Sequence, residues 1–140
     1  MSAPAAISLV LRATPEEVMV AVEALERHCR AHGVAEEATY ALMLALEETG
    51  ANVVNHAYAR DPARTFRVTV ERREGGVAVE VRDDGPPFDP LAPRPSPAGA
   101  DPDDPPVGGL GIALIRRSAD RVAYAREGGE NVLRLWKRVD

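Results

Sequence analysis

The chain has 140 residues, 45% hydrophobic and 28% charged, with a formal net charge of -5. That is enough for one compact domain over residues 1–140 with its own core, and too acidic a balance for a protein whose main task is to grip a phosphate backbone, so no direct nucleic-acid partner is expected. No apolar run approaches the roughly 20 residues that span a bilayer, and the start, Met-Ser-Ala-Pro-Ala-Ala, has no basic region followed by an apolar core, so no membrane partner and a cytoplasmic location are expected.

Ile7, Leu9 and Leu11 alternate with Ser8, Val10 and Arg12, the period of a half-buried strand. Thr14-Pro15-Glu16-Glu17 then reads as an N-cap, a proline at the first helical position and an acidic first turn, opening a helix that runs through Val18, Val22 and Leu25 to Gly33. A second helix is predicted from about Ala35 to Ala57. After the turn at Asp61-Pro62, Phe66, Val68 and Val70 alternate with polar residues, Gly75-Gly76 reverses the chain, and Val77, Val79 and Val81 alternate again, which predicts a hairpin with one apolar face.

Residues 86–106 hold nine of the twelve prolines, interspersed with Asp101, Asp103 and Asp104. Such a stretch buries little and forms no regular element. The 34 residues beyond it are too few for a second core, so it is read as a functional lid within one domain and not as a linker. Val107-Gly108-Gly109-Leu110-Gly111 leads into a third helix carrying Ile112, Leu114 and Ile115 and ending near Ala119-Asp120. Two strands follow, around 121–126 and 131–138, joined by Gly128-Gly129. The predicted class is an α/β (α+β) two-layer sandwich, a mostly antiparallel mixed sheet covered on one face by three helices.

Chemistry concentrates in three places. On the second helix Glu48, Asn52 and His56 are four apart, which puts a carboxylate, an amide and an imidazole in one row, while Leu42, Ala45, Leu46 and Val53 supply apolar faces. A lone helical Glu is usually solvated, but Asn is a mediocre helix former usually found at caps, so Asn52 in mid-pattern points to a task. Asp83 ends an apolar strand beside Gly85, and Gly108-Gly109-Leu110-Gly111 precedes a helix whose N-terminal N–H groups suit an anion. Each of the last two has a bland alternative, an Asp in its usual turn and a plain glycine turn. His28 and His32 are also four apart but lack a third ligand, and the lone Cys29 fits a small buried apolar residue better than a metal or disulfide site. Lys137 is the only lysine, which excludes a Walker A loop and the lysine-dependent eukaryotic-type protein kinase site.

Taken together and in order, the three segments resemble a known set of motifs. Glu48-x-x-x-Asn52-x-x-x-His56-x-Tyr58 resembles the N box, Asp83-x-Gly85-x-x-Phe88-x-Pro90 the first glycine box, and Gly109-Leu110-Gly111-Ile112 the second glycine box of the GHKL (Bergerat-fold, histidine-kinase-like) ATPases. Within that superfamily the chain resembles the bacterial anti-sigma-factor serine/threonine kinases, from about Ile7 to Arg138, including Asp120-x-Val122-x-Tyr124 and Gly128-Gly129-x-Asn131. The resemblance implies ATP and Mg2+ as cofactors, with Asn52 as the metal's side-chain ligand and Glu48 orienting or deprotonating the attacking hydroxyl. It further implies Asp83 accepting from the adenine amino group, Gly85 leaving room for the base, Gly109, Leu110 and Gly111 meeting the phosphates, and residues 89–107 as the ATP lid. His56 and Tyr58 would pack at the helix end. Pro87 stands where the family often has glycine, and the acidic lid calls for compensating arginines such as Arg94, Arg116 or Arg117.

The function implied is a Mg-ATP-dependent protein serine/threonine kinase and transcription regulator that phosphorylates an anti-sigma-factor antagonist of the STAS type, sequesters a sigma factor and forms a homodimer. The alternative is an ATP-binding partner-switching adaptor without significant transfer, suggested by the stiff, proline-rich lid. A sensor histidine kinase fragment ranks lower, because His28 and His32 lie in one short helix with no second arm for a phospho-accepting hairpin.

Overall fold

A computed structural model describes residues 4–92 and 109–139, with residues 109–111 described by their backbone alone. The chain runs β1 (Ala6–Arg12), α1 (Pro15–Ala31), α2 (Glu36–Asn52), a π-helical turn (Val53–Ala57), β2 (Thr65–Arg73), β3 (Gly76–Asp83), α3 (Gly109–Ser118), β4 (Arg121–Glu127) and β5 (Glu130–Arg138). The strands form one sheet in the order β1-β2-β3-β5-β4, and each of these pairings is antiparallel.

Local chemistry explains the helix ends. Thr14 accepts from the Glu17 N–H at 3.2 Å, and Pro15 opens α1 where an N–H would have no partner. At the other end Gly33 takes φ +69°, and the N–H groups of Gly33 and Val34 reach back to Arg30 O (3.1 Å) and Cys29 O (3.0 Å), a Schellman closure. Between β4 and β5, Gly128 and Gly129 have φ of +57° and +79°, the left-handed pair that a two-residue turn needs to match strand twist.

The predicted alternation is realised in the core. Phe66, Val68 and Val70 of β2, Val77, Val79 and Val81 of β3, and Leu133 and Leu135 of β5 are buried beneath the helices. They meet Leu25 of α1, Leu42 and Leu46 of α2 and Ile115 of α3. The buried stripe of α2 recurs at helical spacing, Ala38, Leu42, Ala45, Leu46, Thr49, Gly50. A Cβ at Gly50 would lie 2.7 Å from a Val18 methyl, so the glycine lets α1 and α2 approach closely. The opposite sheet face is polar: Arg67 pairs with Glu130, while Arg82 and Arg134 share Glu80 and Glu127. Among the described residues no helix is long and apolar enough to cross a membrane.

One departure bears on the site. The predicted second helix is α-helical only to Asn52; from Val53 it widens, Tyr58 N–H bonding Val53 O at 2.9 Å in the i→i+5 pattern. Glu48 and Asn52 therefore share a row, but His56 leaves it, because each residue of a π turn advances through a smaller angle than in an α-helix.

Candidate functional site

The last turns of α2, the end of β3, the start of β5 and Tyr124 of β4 converge at one end of the sheet. There Thr49, Asn52, Asp83, Phe88, Tyr124 and Asn131 border a cavity of about 20 Å³. That is room for about one water. Occupation by anything larger requires a wall to move, and Phe88 and Pro90 are the bordering residues that belong to no helix or strand. A larger hollow, about 440 Å³, opens on the polar sheet face among Thr69, Glu71, Glu80, Arg134 and Trp136, away from each of the predicted site residues.

Asn52 is half-buried, and its Nδ2 is the one buried side-chain polar atom without a hydrogen-bond partner among the described residues. A buried amide left unpaired costs on the order of 1–3 kcal/mol, and a bound group is one thing that relieves it. Rotation of the amide by half a turn presents either its oxygen or its nitrogen. The side chain of Glu48, one turn earlier and also half-buried, makes no hydrogen bond or ion pair among the described residues and does not border the cavity at Asn52.

Asp83 is 5% exposed, and its Oδ1 accepts from the Gly85 N–H (3.0 Å) and from Asn131 Nδ2 (2.8 Å). Burial pushes its carboxyl above the usual carboxylate range, against the pull of those two donors. Gly85 has an evident packing role: a Cβ there would lie 2.7 Å from Ala57 O and 3.2 Å from Cε1 of Tyr58. The glycine thus admits the π-helical turn against the exit of β3.

Tyr58 clamps the same junction. Its hydroxyl meets Thr65 O at 2.6 Å and Asp84 Oδ1 at 2.7 Å, and accepts from the Asp84 N–H at 2.9 Å. Burial and the Asp84 carboxylate push the phenol up to about 12. Arg64 lies over the Tyr58 ring, 4.8 Å from its centroid, and pairs with Asp84 at 3.0 Å. The expected packing role of Tyr58 is therefore visible. His56 is exposed and stacks on Phe88, ring centroids 5.4 Å apart.

Gly109, Leu110 and Gly111 form the first turn of α3, where backbone N–H groups have no intrahelical acceptor. Arg116 and Arg117 are exposed on that helix, Arg116 reaching Leu91 O at 3.5 Å, while Arg94 and residues 93–107 of the expected lid lie outside the described residues. Two further groups near the exit of β3 were given no role by the sequence. Asn131 joins Asp83 to the segment after β3, and Arg126 Nη1 donates to Gly85 O at 2.7 Å. The clue for Asn131 was its place after Gly128-Gly129; Arg126 carried no signal.

The donor set also bears on a metal. The described residues contain no group of three or more His, Cys, Asp or Glu able to hold one. Mg2+ takes few ligands from protein and the rest from phosphates and water, and Asn52, whose unpaired atom here is Nδ2, would offer it an oxygen only with the amide turned over.

The site is thus built on a three-helix layer over an antiparallel sheet, with an unpaired Asn52 amide and a buried Asp83 at one end. Residues 11–137 match the histidine kinase-like ATPase domain family, and the chain belongs to it. It is related to the serine/threonine-protein kinase BtrW of Bordetella bronchiseptica, 28% identical over 96 residues that cover 69% of this chain and 68% of that one. The fold is similar to that in the crystal structure of the RsbU and RsbW domains of Rv1364c from Mycobacterium tuberculosis, with TM-score 0.71 and 18% identity over 98% of this chain. This chain spans 32% of that protein. It is also similar to the crystal structure of the SiaB-SiaC complex from Pseudomonas aeruginosa, with TM-score 0.67 and 13% identity, covering 93% of this chain and 88% of that one.

Proposed function

We propose that this protein is a cytoplasmic Mg-ATP-dependent protein serine/threonine kinase that phosphorylates a small STAS-type anti-sigma-factor antagonist, sequesters a sigma factor and works as a homodimer. The observation that carries the reading is the unpaired Asn52 amide bordering the same cavity as the buried Asp83. Relationship to a serine/threonine-protein kinase supports the reaction type, and the fold shared with an RsbW domain and with the SiaB-SiaC complex supports a partner-switching role.

In this reading residues 1–140 are one domain with an ATP lid at about 89–107. Asp83 accepts from the exocyclic amino group of adenine, beside Gly85. The N–H groups of Gly109, Leu110 and Gly111 face the phosphates, where the start of α3 carries positive partial charge. Asn52 holds Mg2+, which when bound with ATP neutralises charge on the transferring phosphoryl group. Glu48 orients the attacking seryl or threonyl hydroxyl and takes its proton.

The test is capture of partners from a lysate of the native host, followed by incubation with γ-labelled Mg-ATP. Label is expected on a serine or threonine of a small captured protein. Glu48→Gln is expected to lower transfer by about 10²- to 10⁴-fold while leaving ATP bound, the scale of a lost general base. Undiminished transfer in that variant refutes the role of Glu48. Nucleotide-dependent capture without any label instead identifies an adaptor.

A further inference from the structure

Asn131 lies opposite Asp83 in the antiparallel pairing of β3 with β5, is 4% exposed, and uses its entire hydrogen-bonding capacity within the protein. Nδ2 donates to Asp83 Oδ1 at 2.8 Å and to Pro86 O at 2.9 Å. Oδ1 accepts from Phe88 N–H at 3.0 Å and from the Tyr124 hydroxyl at 2.5 Å. The orientation of the amide follows from its partners, because the Pro86 carbonyl can only accept and the Phe88 N–H can only donate. No other side chain meets all four needs here. Asp has no donor, Ser and Thr offer a single proton on a shorter arm, and Gln is one methylene too long.

A saturated amide is not itself a ligand-binding group, so its effect reaches a ligand through what it holds. Both hydrogen bonds that Asp83 accepts among the described residues fall on Oδ1, from Asn131 and from the Gly85 N–H. With Oδ1 pinned from two directions the carboxylate cannot rotate, and Oδ2 is the atom left to offer. Pro86 and Phe88, held by the same amide, are the first residues of the segment that leads into the lid.

We propose that Asn131 is a positioning residue of the nucleotide site, which fixes Asp83 so that Oδ2 reads the amino group of adenine and which ties that carboxylate to the lid entrance at Pro86 and Phe88. The inference rests on Asp83 being the base acceptor, and it deepens that reading by locating adenine specificity in a residue that need not touch the base.

The experiment compares Mg-ATP with the Mg complex of purine riboside triphosphate, which lacks the 6-amino group, by calorimetric titration of the full chain. The wild type is expected to prefer ATP by about 10- to 100-fold, the scale of a hydrogen bond to a charged group. Asn131→Leu keeps approximate size and has no N–H to pin Asp83, without setting a second carboxylate beside it. Its preference is expected to fall to about threefold or less, with ATP affinity lost and purine riboside triphosphate affinity nearly kept. A merely structural role lowers both affinities together, so an unchanged ratio overturns the inference while leaving the nucleotide reading intact. A wild type that binds neither compound, or does not discriminate between them, overturns the reading of Asp83 itself. Asn131→Val, β-branched and suited to a strand, gives the same comparison if Asn131→Leu does not fold.

Discussion

Gly85→Ala separates two reasons for one glycine. Gly85 is buried and its backbone is not in the left-handed region, so alanine can adopt the conformation. By itself the exchange would stabilise by about 0.4–1 kcal/mol through the unfolded chain. The space decides the sign. The new Cβ lies 2.7 Å from Ala57 O, 3.1 Å from Asp83 Oδ1 and 3.2 Å from Cε1 of Tyr58. The nearest of these is a backbone atom in a turn that Tyr58 clamps to Thr65 and Asp84, so relief requires the turn to shift by some tenths of an ångström. Overpacking of that kind costs about 1–3 kcal/mol. The net loss is about 1–2 kcal/mol, equivalent to a fall in Tm of roughly 3–8 °C for a chain of this size. Thermal unfolding followed by circular dichroism reads it directly, and ATP affinity, measured below the transition, is expected to fall as well because Asp83 is displaced. An unchanged Tm with ATP affinity lost would refute the packing argument and return Gly85 to the role of making room for the base.

Ala59 sits at φ +49° two residues beyond the end of the π-helical turn, where an L side chain costs about 1–2 kcal/mol. Ala59→Gly removes that strain and gives back about 0.4–1 kcal/mol in unfolded-chain entropy, so a rise in Tm is expected, and a fall in differential scanning fluorimetry would contradict the strain. His28 Nε2–H donates to Ala5 O at 3.1 Å, its ring centroid 4.5 Å from that of His32. Burial holds its pKa below the ordinary value of 6.5, helped by the neighbouring His32 charge. The neutral ring is thus favoured by folding: its contribution is complete above about pH 6.5 and is lost as pH falls through the depressed folded value. Urea midpoints are expected to drop more between about pH 7 and 5 for the wild type than for His28→Gln, which keeps an amide contact but does not titrate; parallel curves would sink the assignment.

What the sequence determined by itself was local or motif-borne. Thr14-Pro15 and Gly33 bound α1 because caps act within one turn. Phe66 to Val81 alternate into a hairpin because strand periodicity belongs to the strand, and the three ordered boxes of Asn52, Asp83 and Gly109-Leu110-Gly111 sufficed for the family. Other features needed the folded chain. Five strands in a mostly antiparallel mixed sheet were legible, but not that every pairing is antiparallel or that β5 enters between β3 and β4. Nor does the 41–58 stretch announce that its helix widens after Asn52. That turn is held by Gly85 beneath Ala57 and by Tyr58 on Asp84, 26 residues away. Asn131 stood out in the sequence only by its place after Gly128-Gly129, and had no role until β5 was laid against β3 and its amide met Asp83, 48 residues distant. Periodicity and capping are written in neighbours a few residues apart, whereas a buried polar network is selected by whichever distant groups the packed sheet brings within 3 Å.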